Sequence, residues 1–190
     1  MAKMNTSEFR SGAKILVDGQ PYIMVNNQFV KPGKGQAFNR TKLKHLLTGR
    51  VIEKTFKSGE SVEVADVSEA SMRLLYRDGN DVVFMDDDSY EQINIAVDKI
   101  QDVEQWLMED IVYEVVFYNG EPVTVEPPMF LEMKIVETAP GVRGDTASGR
   151  VLKSAVTESG GKIQIPIFIG EGEVVRIDTR TGEYVSRVTK

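Results

Sequence analysis

Residues 13–25, AKILVDGQPYIMV, decide the fold class. An apolar, β-rich run stands on each side of Asp18-Gly19. Asp-Gly between two such runs is the strongest short-range hairpin signal, because both central positions of a type I′ turn need a positive φ. The unit recurs in RLLYRDGNDVVFMD (73–86), around Asp78-Gly79, and in YEVVFYNGEPVTVE (113–126), around Asn119-Gly120. GKIQIPIFIGEGEVVRIDTRTGEYVSRV (161–188) carries the theme on, its strand-like runs separated by Gly170-Glu171-Gly172 and Thr181-Gly182. Pro166 marks an edge strand or bulge there, since proline cannot donate to a ladder. The pattern predicts an all-β protein.

One segment departs from it. DKIQDVEQWLMED (98–110) sets Ile100, Val103, Trp106 and Leu107 near helical spacing, which predicts one short amphipathic helix with Trp106 as a core anchor.

Pro127-Pro128 is a rigid break, because neither residue can donate a backbone hydrogen bond. The charge pattern supplies a second boundary. Residues 1–64 hold 11 Lys and Arg against 5 Asp and Glu, a net of +6; residues 65–128 hold 3 against 16, or −13; residues 129–190 hold 9 against 8, or +1. Domains are therefore expected at 1–65, 66–128 and 129–190, each of about 60 residues, the size of a small β-barrel. The overall charge of −6 conceals this layout, in which a basic first third is suited to a polyanion and an acidic middle is not.

Composition narrows the chemistry. With 41% hydrophobic and 27% charged residues the chain is of the ordinary globular kind. It has no cysteine, which excludes a disulfide framework, a thiolate metal site and a cysteine nucleophile. No apolar run has the length of a signal core or membrane span, so a cytoplasmic protein without membrane contact is expected. On that expectation the sequon Asn39-Arg40-Thr41 is a chance match.

The basic third has a distinctive loop. In FVKPGKGQAF (29–38), Pro32 fixes the entering chain while Gly33 and Gly35 permit a tight bend, which places Lys34 at a loop tip. A phosphate-binding Walker loop needs a following Ser or Thr and a helix, and GKGQAF has neither. Beyond the loop, alternation puts Arg40, Lys42 and Lys44 on one face of a strand and Thr41 and Leu43 on the other. Such a face contacts phosphates without regard to sequence.

Other chemistry is incomplete. His45, the single histidine, sits among cations in KLKHLLTGR with no acid–base partner nearby. Asp86-Asp87-Asp88 lacks calcium-loop spacing and reads as a solvated turn. No catalytic residue, metal site or cofactor is expected, and a hydrolase or metal enzyme built on the acidic middle is the least favoured reading. GVRGDTASGR (141–150) is either a second RNA-contacting loop or a plain β-connection, and Tyr184 and Arg187 are either packing or contact residues of a terminal hairpin.

Taken together, KPGKGQAF (31–38), TGRVIEKTFKSGE (48–60), EMKIVETAPGVRGDTA (132–147) and RIDTRTGEYVSRV (176–188) closely resemble the bacterial translation elongation factor P family, in order and over essentially the whole chain. The resemblance implies three small β-barrel domains, an SH3-like (KOW-type) first domain and two OB-fold domains, in an L-shaped monomer. It implies a factor that binds the ribosome between the peptidyl and exit sites and promotes peptide-bond formation at consecutive prolines. The loop would reach the acceptor end of the peptidyl-tRNA, a prolyl-tRNA, with Lys31, Pro32, Gly33, Lys34, Gly35, Gln36, Arg40, Lys42 and Lys44 on the RNA side. Lys34 matches the family lysine that carries a β-lysyl extension, with hydroxylation expected beside it. The extension is added by an enzyme resembling a lysyl-tRNA synthetase. Gly144, Asp145, Thr146 and Ala147 match the loop facing the exit-site messenger, and Tyr184 and Arg187 the hairpin meeting the small subunit. Many members carry Lys-Pro-Ala where this chain has Lys153-Ser154-Ala155, a local departure. The competing reading is a general RNA-binding multi-barrel module in which the basic strand matters and Lys34 does not.

Overall fold

A computed structural model describes residues 1–140 and 151–189. The described chain forms three β-sheets, as the hairpin signals predict. The first comprises β1 (Lys3–Asn5), β2 (Lys14–Val17), β3 (Gln20–Val30), β4 (Phe38–His45), β5 (Val51–Lys57) and β6 (Ser61–Val64), in the order β1-β6-β2-β3-β4-β5. The second comprises β7 (Val67–Asp78), β8 (Asp81–Asp86), β9 (Gln92–Ala96), β10 (Val112–Tyr118) and β11 (Glu121–Glu126), in the order β11-β10-β7-β8-β9. The third comprises β12 (Phe130–Thr138), β13 (Leu152–Thr157), β14 (Lys162–Pro166), β15 (Val174–Asp178) and β16 (Glu183–Arg187), in the order β14-β13-β12-β15-β16. The last two orders are the same, with the earliest strand central, its two successors on one side and the remaining pair on the other. That is the strand arrangement of an OB barrel.

The turns follow their chemistry. Asp18 and Gly19 have φ of 51° and 74°, and Asn119 and Gly120 have 51° and 79°, as a type I′ turn requires. The second predicted hairpin is corrected by one residue: Asp78 pairs with Asp81, so the turn is Gly79-Asn80, led by Gly79 at φ 61°. A leading glycine suits the type II′ alternative. Pro166 closes β14, an edge strand, where its missing donor costs nothing.

The predicted helix over 98–110 is not formed. Two short 3₁₀ turns, Val97–Lys99 and Glu104–Trp106, take its place, linked by bonds from Ile100 N to Val97 O, Val103 N to Ile100 O and Trp106 N to Val103 O. The buried residues explain the difference. Val97, Ile100, Val103 and Trp106 fall at strict intervals of three, so a three-residue turn stacks all of them on one face, whereas an α-helix would fan them apart. Trp106 is 4% exposed, the core anchor it was expected to be.

The chain divides into two compact units, Met1–Glu69 with Val116–Thr124, and Ala70–Val115 with Val125–Lys190. In the first, Phe9, Ala13, Ile15, Val17, Met24, Leu43 and Phe56 fill the interior of the first sheet. A separate cluster joins Leu46 to Val116 and Val123, with Ile23, Val67 and Tyr118 packed around it. In the second unit, the Tyr113 hydroxyl donates to Trp106 O at 2.6 Å and accepts from Met108 N at 2.9 Å, tying the 3₁₀ segment to β10. The β13–β14 turn seats against the same segment: Ser159 Oγ donates to Gln105 O at 2.5 Å, and a Cβ on Gly161 would stand 3.2 Å from Gln105 and from Thr157 Oγ1. Among the described residues no helix is long and apolar enough to cross a membrane.

Candidate nucleic-acid interface

The feature that organises the first sheet is the long β3–β4 hairpin, whose seven-residue loop runs over 31–37. Lys34 stands exposed at its tip between exposed Gly33 and Gly35. Gly35 alone of the two takes a positive φ, 109°, and a Cβ placed on it would lie 3.8 Å from Pro32 Cγ, so the loop bends back toward the proline there. Gly33 has open space where a Cβ would be. Lys31 and Gln36 are also exposed, and Pro32 is half-buried. Ala37 O accepts from Ser58 N at 2.9 Å, which fixes the loop's return.

Below the loop the hairpin is pinned by polar groups inside the barrel. Asn39, 3% exposed, donates from Nδ2 to Asn27 Oδ1 at 2.9 Å, and Asn27 Nδ2 donates to Phe9 O at 3.0 Å. Buried Thr41 donates from Oγ1 to Lys54 O at 2.7 Å. Each buried amide and hydroxyl is satisfied, and satisfied polar groups in a core fix one register at the expense of others.

The register distributes the cations. Arg40 and Lys42 are exposed and Lys44 half-buried, alternating with buried Asn39, Thr41 and Leu43 as the sequence predicts. Arg40 lies between Gln28 on β3 and Thr55 on β5; Lys42 lies between Asn26 and Glu53; Phe38 lies between Val30 and Lys57. Arg40, Lys42 and Lys57 therefore share one outer face with the amides of Asn26 and Gln28. The sequence reading missed these amides, because strict alternation from buried Met24 turns Asn26 and Gln28 inward. A bulge at Val25, where the β3–β4 register shifts between Met24 and Asn26, inverts that order. The signal is weak but present: two polar residues fall where alternation from Met24 demands apolar ones.

His45 closes the turn after β4. Its Nδ1 accepts from the N–H groups of Leu47 (3.1 Å) and Thr48 (3.2 Å), its Nε2 is 3.3 Å from Gln20 Oε1, and its ring stands edge-on to Tyr22. Nδ1 thus holds the turn, while Nε2 faces Gln20 at the start of β3. The aspartates are similarly used: Asp86 Oδ1 accepts from Asp88 N and Ser89 N, which holds its carboxyl below the usual range, and Asp87 makes a two-point ion pair with Arg73. No group of three or more potential metal ligands occurs among the described residues.

Tyr184 is half-buried on β16, paired with Ile177. Arg187 Nη1 donates to Glu173 Oε1 at 3.0 Å, while Gly170 N donates to Glu173 Oε2; these bonds, the backbone one foremost, depress the Glu173 carboxyl. Gly144, Asp145, Thr146 and Ala147 lie outside the described residues.

Comparison with known proteins places the chain in a family. Residues 5–62 match the family model described as the elongation factor P (EF-P) KOW-like domain, 67–125 the elongation factor P (EF-P) OB domain, and 131–187 elongation factor P, C-terminal. A relative named "Elongation factor P 2" from Protochlamydia amoebophila (strain UWE25) is 63% identical over 189 residues, covering 100% of both chains. One of the same name from Chlamydia trachomatis serovar D is 64% identical over 190 residues, again covering 100% of both. Among solved structures, eukaryotic translation initiation factor 5A from Methanococcus jannaschii aligns with 64% of this chain and 90% of its own, at 21% identity and a TM-score of 0.47.

Proposed function

The chain belongs to the elongation factor P family of translation factors, and we propose that it binds the ribosome between the peptidyl and exit sites and speeds peptide-bond formation at consecutive prolines. The observation that carries this reading is Lys34, an exposed cation at the tip of a loop that bends at Gly35 and that a part-buried Asn27–Asn39 bridge anchors.

Proline is a rigid, poor amine nucleophile, and peptide transfer needs its nitrogen near the ester carbonyl. Misplacement by about 1 Å costs on the order of a hundredfold in rate. The outer face formed by Arg40, Lys42 and Lys57 holds the RNA through its phosphates, and Lys34 steadies the acceptor end of the peptidyl-tRNA. The protein lowers an alignment barrier and supplies no acid, base or nucleophile. An extension on Lys34, of the β-lysyl kind and added by an enzyme resembling a lysyl-tRNA synthetase, lengthens the reach of the amine. Lys31, Pro32, Gly33, Gly35, Gln36 and Lys44 complete the RNA-facing set. Gly144, Asp145, Thr146 and Ala147 face the exit-site messenger, and Tyr184 and Arg187 meet the small subunit. The factor works in the cytoplasm as a monomer.

Synthesis through consecutive prolines, followed on purified ribosomes, tests this. Lys34→Ala is expected to leave thermal stability unchanged and to slow proline joining by tenfold or more, within the roughly hundredfold range of misalignment. Removing Arg40, Lys42 and Lys44 together is expected to lower ribosome affinity instead. If only the triple change impairs synthesis, the chain is a general RNA-binding module. Peptide mapping of 31–40 from the native host reads out the extension.

A further inference from the structure

One aromatic side chain on the hairpin serves neither the barrel nor Lys34. The bulge at Val25 turns Asn27 and Phe29 to the inner face, and cross-strand pairing sets Phe29 level with Asn39 and Phe56. A phenylalanine on an inner face normally enters the core. Here the core is already closed beneath it. Asn39 and Asn27 bridge to Phe9 O, and Phe56 packs edge-on against Phe9 at 5.2 Å. Phe29 does not belong to that cluster and remains 58% exposed, two residues from Lys31 and five from Lys34.

We propose that the Phe29 ring is a stacking platform for one unpaired nucleobase of the RNA that the hairpin approaches. The inference rests on the functional reading above and adds a contact to it. Lys31, Lys34, Arg40 and Lys42, all exposed on the same hairpin, draw a polyanion, and the loop lysines among them offer no flat surface to a base. An aromatic ring does so for any base, since every base has a π-face. A single-stranded end can therefore set its phosphates on the loop lysines and turn a base onto Phe29. Stacking and charge contacts differ in one measurable respect: removing a cation flattens the dependence of affinity on salt, whereas removing a ring lowers affinity and leaves that dependence unchanged.

The experiment measures binding of the full chain to purified ribosomes holding a peptidyl-tRNA, across a range of salt concentrations. Phe29→Leu keeps an apolar side chain at an exposed position, and Phe29→Trp enlarges the ring. The expected result is a loss of about fivefold or more for Phe29→Leu, equal at every salt concentration, with wild-type affinity or better for Phe29→Trp. Three results would overturn the proposal: wild-type affinity for Phe29→Leu, equal loss in both variants, as shape-specific packing against a protein surface gives, or a changed salt slope for Phe29→Leu. If the unaltered chain does not bind these ribosomes, the functional reading fails as well; if it binds and Phe29→Leu binds equally, only the stacking contact fails.

Discussion

Tyr113 shows how much one buried polar atom holds in place. Its hydroxyl bridges Trp106 O and Met108 N while its ring meets Phe84 edge-on, and burial pushes the phenol up to about 12 from an ordinary 10. The folded state thus retains the proton more firmly than the unfolded chain. The corresponding stability is whole below about pH 10 and is lost as pH rises through about 12. Urea midpoints recorded from neutral pH upward should fall over that window, and Tyr113→Phe should flatten the fall. The same substitution is expected to cost about 1–2 kcal/mol at neutral pH, since it leaves the buried Trp106 carbonyl and the half-buried Met108 N–H without their partner. Of this the sequence showed only a tyrosine in a strand. For His45, the binding of two N–H groups of the following turn depends on the close of a loop that no spacing reveals.

At the scale of elements, hairpins were the most legible part, because Asp-Gly and Asn-Gly specify backbone dihedrals directly. The alternation of β4 was legible for the same local reason: one face is charged and the other is not. Two elements were not. The 3₁₀ segment required choosing between periods of three and 3.6 over a stretch too short to separate them, and the interval from Val97 through Trp106 carried the answer. The bulge at Val25 is set by the partner strand's register, so the inner placement of Phe29 and the outer placement of Asn26 and Gln28 could not be read along one strand. The β13–β14 turn permits a sharp test of packing. Gly161→Ala places a methyl 3.2 Å from the Gln105 backbone oxygen and from Thr157 Oγ1, which itself accepts from Gly161 N. Neither can retreat without losing a bond, so destabilisation of about 1–3 kcal/mol is expected in thermal or urea unfolding.

Across the whole molecule, charge is segregated along the chain, from +6 in residues 1–64 to −13 in residues 65–128. Binding to an RNA-rich particle should therefore weaken steeply with salt, with a slope set by the cations of the first sheet rather than by the net charge of −6. Replacing Arg40 or Lys42 with alanine should each reduce that log–log slope by about 0.7–0.9, while Lys162→Ala on β14 should leave it unaltered. The discontinuous make-up of the first unit has a further consequence for how the chain is born. β6 completes the first sheet by residue 64, but Ile23 and Leu46 stay uncovered until Val116 and Val123 have been made. Vectorial synthesis thus yields a nascent barrel with a greasy seam, shielded only when a much later stretch emerges from the exit tunnel.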